Sequence, residues 1–228
     1  MSTIADNLKR VNDRIAAACA RAGRDPEGVR LIAVSKKQPV SAIEQALAAG
    51  HRDFGENYVQ EAEAKARAIA SGGVRWHIIG HLQRNKVRHV VPFATMIHTV
   101  DSARLADEAA KRAGEAGRRV GVLVQVNVGG EEQKSGTAEQ DALALVDHVR
   151  TLDALDLRGL MTMPPFLPPE EVRPYFAALR RLRETMESRR PGLRLPELSM
   201  GMSGDFEAAI EEGATIVRVG TAIFGERP

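Results

Sequence analysis

Lys36 stands where a near-continuous apolar run, LIAVS at 31–35, meets two lysines. An amine at the end of a buried strand is either solvated or aimed at a ligand. Most lysines that close a strand are solvated, and that reading suits Lys37. Lys36 has a second possible use: a primary amine can form a Schiff base with an aldehyde. Partial desolvation or nearby positive charge would supply its neutral, nucleophilic form. Two stretches nearer the C-terminus could hold an anion. In SMGMSGD, 199–205, Gly201 and Gly204 flank Met202 and Ser203. The glycines let the backbone approach a ligand, Ser203 can donate a hydroxyl, and the N–H groups of a following helix start point the same way. RVGTAIFG, 218–225, offers Gly220 and Thr221 as a second small, donating turn. Each turn alone reads as an ordinary cap; the two side by side favour a phosphate. Arg218 interrupts the apolar strand TIVRV. It must either pair with a carboxylate or face a pocket and donate to a bound ring.

The elements that must position these residues follow from periodicity. Ile4, Leu8, Val11, Ile15 and Cys19 recur at helical spacing behind a capping box at Thr3–Asp6. Eight short apolar strands follow, at 29–35, 52–54, 75–79, 96–100, 120–126, 157–161, 197–200 and 215–219. Between them lie amphipathic helices, near 40–49, 58–70, 85–93, 103–116, 138–151, 174–189 and 205–212. Strict alternation implies parallel strands with right-handed crossovers. Eight units in 228 residues, close to the usual ~250, give an α/β fold: a single (β/α)8 barrel over 1–228, with the extra N-terminal helix covering one end. An open doubly wound sheet is the competitor, but its first turn would carry glycines that SKKQP lacks. The proline-rich segment 163–174 reads as one semi-rigid loop that cannot propagate a helix.

In a barrel, chemistry gathers at the C-terminal ends of the strands, and phosphate sites commonly follow strands seven and eight. Lys36, Glu56, Asn57, His81, Gln83, Asn127, Thr162 and the two glycine turns all fall there. Strand eight neighbours strand one once the barrel closes. Lys36 then lies across from the phosphate cup, and an aldehyde, a ring and a phosphate together describe pyridoxal 5′-phosphate, PLP.

At these residues the chain resembles the pyridoxal phosphate homeostasis proteins, also called proline-synthase co-transcribed homologues, single-domain relatives of the alanine racemase barrel. The motifs are AVSK at 33–36, FGENYVQE at 54–61, WHIIGHLQRNK at 76–86, QVNVGGEEQKSG at 125–136, GLMTM at 159–163, LSMGMSGDFEAAI at 198–210 and VRVGTAIFG at 217–225. They span nearly the whole chain. Ile78 and Lys37 depart from the commoner family residues without touching the cofactor reading. The resemblance implies an alanine racemase N-terminal-domain-like barrel with PLP on Lys36. Its phosphate would lie around Met202, Ser203, Gly204, Gly220 and Thr221, with Arg218 near the pyridine nitrogen and Asn57 and His81 around the ring. Lys134 is expected to be solvated.

Composition narrows the alternatives. Net charge is +2 and aromatics are 4% of the chain, so neither nucleic acid nor an anionic membrane is an expected partner. The single cysteine, Cys19, excludes a disulfide framework within the chain. Charged residues from Asp6 to Arg14 break up any signal-peptide core, and a cytoplasmic monomer is expected. Racemisation needs an acid–base group on each face of the substrate carbon. The sequence stops at Pro228, soon after strand eight, so the second domain that supplies the opposite tyrosine in racemases is not expected. Tyr58 and Tyr175, the only tyrosines, fall on helices. A PLP-holding protein, with PLP-dependent apo-enzymes as possible recipients, is therefore favoured over a slow racemase. A Schiff-base aldolase or isomerase would need Glu56 beside the lysine, and a structural cap or ion pair suits Glu56 better. His77 and His81 lack metal-site spacing, and GEEQKSG lacks that of a phosphate loop.

Overall fold

In the computed structural model, which describes residues 2–69, 73–131 and 135–226, eight parallel strands close into a barrel in sequence order. They are β1 Arg30–Val34, β2 Asp53–Glu56, β3 Arg75–Ile78, β4 Ala94–Val100, β5 Val120–Gln125, β6 Leu155–Met161, β7 Glu197–Ser199 and β8 Ile216–Val219. Closure is made by β1 against β8, with Arg30 opposite Ile216 and Ala33 opposite Val219. Side chains alternate across each strand, so one set packs inward and the other meets the helices. The inward set forms a small central plug of Ile32, Met96, Leu123, Met161 and Ile216. A larger apolar layer lies between barrel and helices.

The helices are α1 Ile4–Arg21, α2 Val40–Ala48, α3 Val59–Ala68, α4 Val87–Val90, α5 Ala103–Glu115, α6 Glu139–Val149, α7 Pro169–Arg189, α8 Phe206–Glu211 and α9 Thr221–Phe224. The capping box forms as expected: Thr3 Oγ1 accepts from the Asp6 N–H, and Asp6 Oδ2 accepts from the Thr3 N–H. Instead of covering a barrel end, α1 runs along the side, against α2, α8 and α9. Asn7 donates to the Ile223 carbonyl near one mouth, and Arg24 reaches the Ala214 carbonyl near the other. The cause is a shortfall in the helix layer. The helix after β8 is one turn long, so the stripe of Leu8, Val11, Ile15 and Cys19 completes the cover.

Two further expectations shift. The helix read at 85–93 is a 3₁₀ turn, Arg84–Lys86, followed by one α turn. The segment 163–174 is helical from Pro169 onward. Proline is tolerated at a first helical position because the N–H it lacks would have no partner there. Pro174 lies inside the same helix at an exposed position, where water can take the carbonyl it releases. Among the described residues no helix is long and apolar enough to cross a membrane.

Candidate functional site

On β1 the alternation sends Ile32 into the central plug and Val34 and Lys36 into a cavity above it. Ser35 points the other way, and its hydroxyl donates to Glu56 Oε1 at 2.6 Å. Lys65 of α3, itself buried, donates to the Ser35 carbonyl at 2.7 Å, to Glu56 at 2.8 Å and to Glu61 at 2.6 Å. Glu61 also accepts the Lys37 N–H at 2.5 Å. Both peptide groups flanking Lys36 are thus tied to α3, and Lys37 turns left-handed at φ 61°. Burial pushes the Glu56 carboxyl up, against the pull of Lys65 and Ser35. Glu56 is therefore committed to a structural ion pair and stands away from the cavity lining.

The cavity lies at the C-terminal mouth of the barrel and measures about 260 Å³. Lys36, Asn57, Met202, Ser203, Gly204, Arg218, Gly220 and Thr221 all line it. Asn57 follows β2, and its Oδ1 is buried with no hydrogen-bond partner. Gly80 makes that position possible: a Cβ there would lie 2.3 Å from the Asn57 carbonyl. In the turn after β7, the Met202 N–H donates to Asp205 Oδ1 at 2.5 Å. Gly201 adopts φ +92°, and a Cβ on it would meet Ala209 at 2.6 Å. The turn after β8 is stitched to this one, since the Gly220 N–H donates to Ser203 Oγ at 3.2 Å. Because α8 has only six residues, hydroxyls and turn amides supply the cup, with little help from a helix dipole.

Arg218 rises from β8 beneath this cup and is buried. Among the described residues it makes no ion pair; Nη1 donates to Ser199 Oγ at 2.7 Å and Nη2 to the Thr162 carbonyl at 3.0 Å. Burial lowers its pKa to about 10, with Asp205 opposing. It remains a cation, with donors and no acceptor.

His81 departs from expectation. It does not line the cavity. It sits exposed on the rim, 3.6 Å from Asp101 Oδ2 and 3.4 Å from Ser135 Oγ. The chain turns away at Gly80, and Ile79 takes the inward position instead. Lys134 lies outside the described residues. Gln38, Met163, Phe166 and Gly225 complete the lining without having been singled out. The signal for Met163 and Phe166 was their place in the loop after the sixth strand.

The set of polar groups fits a phosphorylated aldehyde with a heteroaromatic ring: an amine, an orphaned amide oxygen that can accept, a guanidinium and two paired turns. Comparisons with known proteins agree. Residues 6–228 match the family of the alanine racemase N-terminal domain. A pyridoxal phosphate homeostasis protein from Aquifex aeolicus is 46% identical over 223 residues, 97% of each chain. The structure of PipY from Synechococcus elongatus PCC7942 with PLP bound is 41% identical at a TM-score of 0.83, covering 94% of this chain and 100% of PipY. An alanine racemase from Clostridium difficile shares the fold alone, with a TM-score of 0.72 and 16% identity over 98% of this chain and 57% of the racemase. The chain belongs to the pyridoxal phosphate homeostasis proteins, on the barrel of the alanine racemase N-terminal domain.

Proposed function

We propose that this protein holds pyridoxal 5′-phosphate at the C-terminal mouth of its barrel and serves PLP homeostasis, with Lys36 as the covalent anchor. One observation carries the reading: a single cavity gathers Lys36, the orphaned Asn57 amide, Arg218 and the paired turns at Ser203–Gly204 and Gly220–Thr221. The relatives' name and the PLP bound to PipY support it. PLP supplies an aldehyde and a conjugated ring. The chain supplies the rest. Lys36 would hold the aldehyde through its amine. The two turns would hold the phosphate through hydroxyl and amide donors. Arg218, which has donors and no acceptor, would disfavour a proton on a ring nitrogen beside it and so leave the ring a weak electron sink.

Holding the cofactor is favoured over transforming amino acids with it. Neither Tyr58 nor Tyr175 lines the cavity, so neither stands across it from Lys36. PLP-dependent apo-enzymes are the recipients this role implies. The test is borohydride reduction of the PLP-loaded protein followed by peptide mapping. PLP recovered on the peptide containing Lys36 supports the reading; PLP absent, or on another lysine, sinks it. Amino-acid racemisation at an enzymatic rate, lost in Lys36→Ala, would move the protein to the racemases.

A further inference from the structure

Behind Arg218 a line of buried polar side chains crosses the barrel from one mouth to the other. Arg218 Nη1 donates to Ser199 Oγ at 2.7 Å, and Ser199 Oγ lies 2.9 Å from His98 Nδ1. His98 Nε2 lies 2.9 Å from His77 Nδ1, and His77 Nε2 lies 3.1 Å from Asp53 Oδ1. Asp53 is gripped by Arg75 through both carboxylate oxygens at 2.8 and 2.5 Å. Arg218 faces the cofactor cavity, while Asp53, Arg75 and His77 face a second cavity of about 310 Å³ at the opposite mouth.

The protons in this line can be placed from either end. A guanidinium only donates, so Ser199 must accept from it, and its own proton goes to His98 Nδ1. His98 then carries its proton on Nε2 and gives it to His77 Nδ1. His77 in turn carries its proton on Nε2 and gives it to Asp53. Starting from Asp53, a carboxylate that only accepts, the same assignment results. Each of the four gaps holds one proton, and both rings are neutral. Burial pushes both histidines below their ordinary pKa, which agrees. The charged and titratable groups acting on His77 are Asp53, Arg30 and Glu197; those on His98 are His77, Arg218 and Arg30. An imidazolium at His77 would put two protons in one gap and reverse the line. The Ser199 hydroxyl proton would then lose its acceptor beside Arg218.

We propose that Ser199, His98, His77 and Asp53 form a one-way relay that fixes the orientation of Arg218 and couples the cofactor mouth to the ion pair at the far mouth. They are positioning residues, since none of the four lines the cofactor cavity. The relay stands on the protein's own atoms; only the ligand beyond Arg218 rests on the proposed function.

Two measurements test it. Nitrogen NMR of labelled histidines in the wild-type protein at neutral pH should show His77 and His98 neutral, with the proton on Nε2 of both. A proton on Nδ1 of either ring, or an imidazolium, overturns the relay. In Asp53→Asn, PLP should bind about threefold to tenfold more weakly and its absorption maximum should move. Glu197→Gln, in the same far cavity but outside the line, should stay within about twofold of wild type. Unchanged affinity and spectrum in Asp53→Asn overturn the coupling. If Asp53→Asn does not fold, the wild-type tautomers still decide. If the wild type binds no PLP, the proposed function fails while the tautomers still test the relay.

Discussion

At the scale of single residues, part of the site's hydrogen-bonding capacity is unspent. Asn57 is the plainest case. A buried amide oxygen without a partner costs free energy, and such a cost is tolerated where a ligand supplies the missing donor or displaces water. Asn57→Ala should weaken PLP binding about threefold to tenfold with little change in stability, checked by fluorescence titration and thermal melting. A loss of stability without loss of affinity would make Asn57 a structural residue. Much of this was legible in the sequence, because a lysine after an apolar strand and glycines around Ser203 and Gly220 are odd where they fall. His81 was expected around the ring from its place after the third strand and from the family resemblance; it stands outside the cavity lining because the chain turns away at Gly80. Ser199 and His98 were not singled out at all. Their roles depend on contacts between strands far apart in the chain.

At the scale of elements, α3 acts as a bracket for the end of β1. Lys65 satisfies Glu56, Glu61 and the Ser35 carbonyl, and Glu61 holds the Lys37 amide. Lys65→Met would leave Glu56 buried without its counter-charge. It should destabilise the protein by about 3–5 kcal/mol, measured by urea unfolding, and should also release Lys36 from its aim and weaken PLP binding. A loss below about 1 kcal/mol would mean that the cluster behaves as a surface pair. The sequence showed strand–helix alternation well because each element carries its own period. It misjudged α7, where prolines that look like breakers sit at a helix start and on an exposed face, and α4, where one turn suffices.

At the scale of the whole molecule, the barrel has an apolar plug and a polar spine. His77 and His98 are buried as neutral rings, held below their ordinary value near 6.5 first by burial. Below that value an unfolded histidine takes up a proton that the folded ring refuses. The unfolded state then binds more protons, so stability is full above about pH 6.5 and falls as pH drops beneath it, by up to about 1.4 kcal/mol per pH unit for each ring. Asp53 adds a separate loss at lower pH. Burial raises its carboxyl, but Arg75 and His77 outweigh this and hold it well below the usual carboxylate range. Urea unfolding between pH 7 and 5 checks the first window, and a flat profile there would contradict neutral burial of the two rings. Fold class was legible at this scale because strand–helix units repeat along the chain. The spine was not: one of its links joins β4 to β7 across the barrel interior, which no local pattern announces.

The central claim is that the Lys36 amine is aimed at an aldehyde. The most direct measurement is the absorption spectrum of the wild-type protein and of Lys36→Ala, each titrated with PLP before and after borohydride. The expected result is a visible Schiff-base band in the wild type, removed by reduction, and absent from the variant. No visible band in the wild type, or the same band in Lys36→Ala, would contradict it.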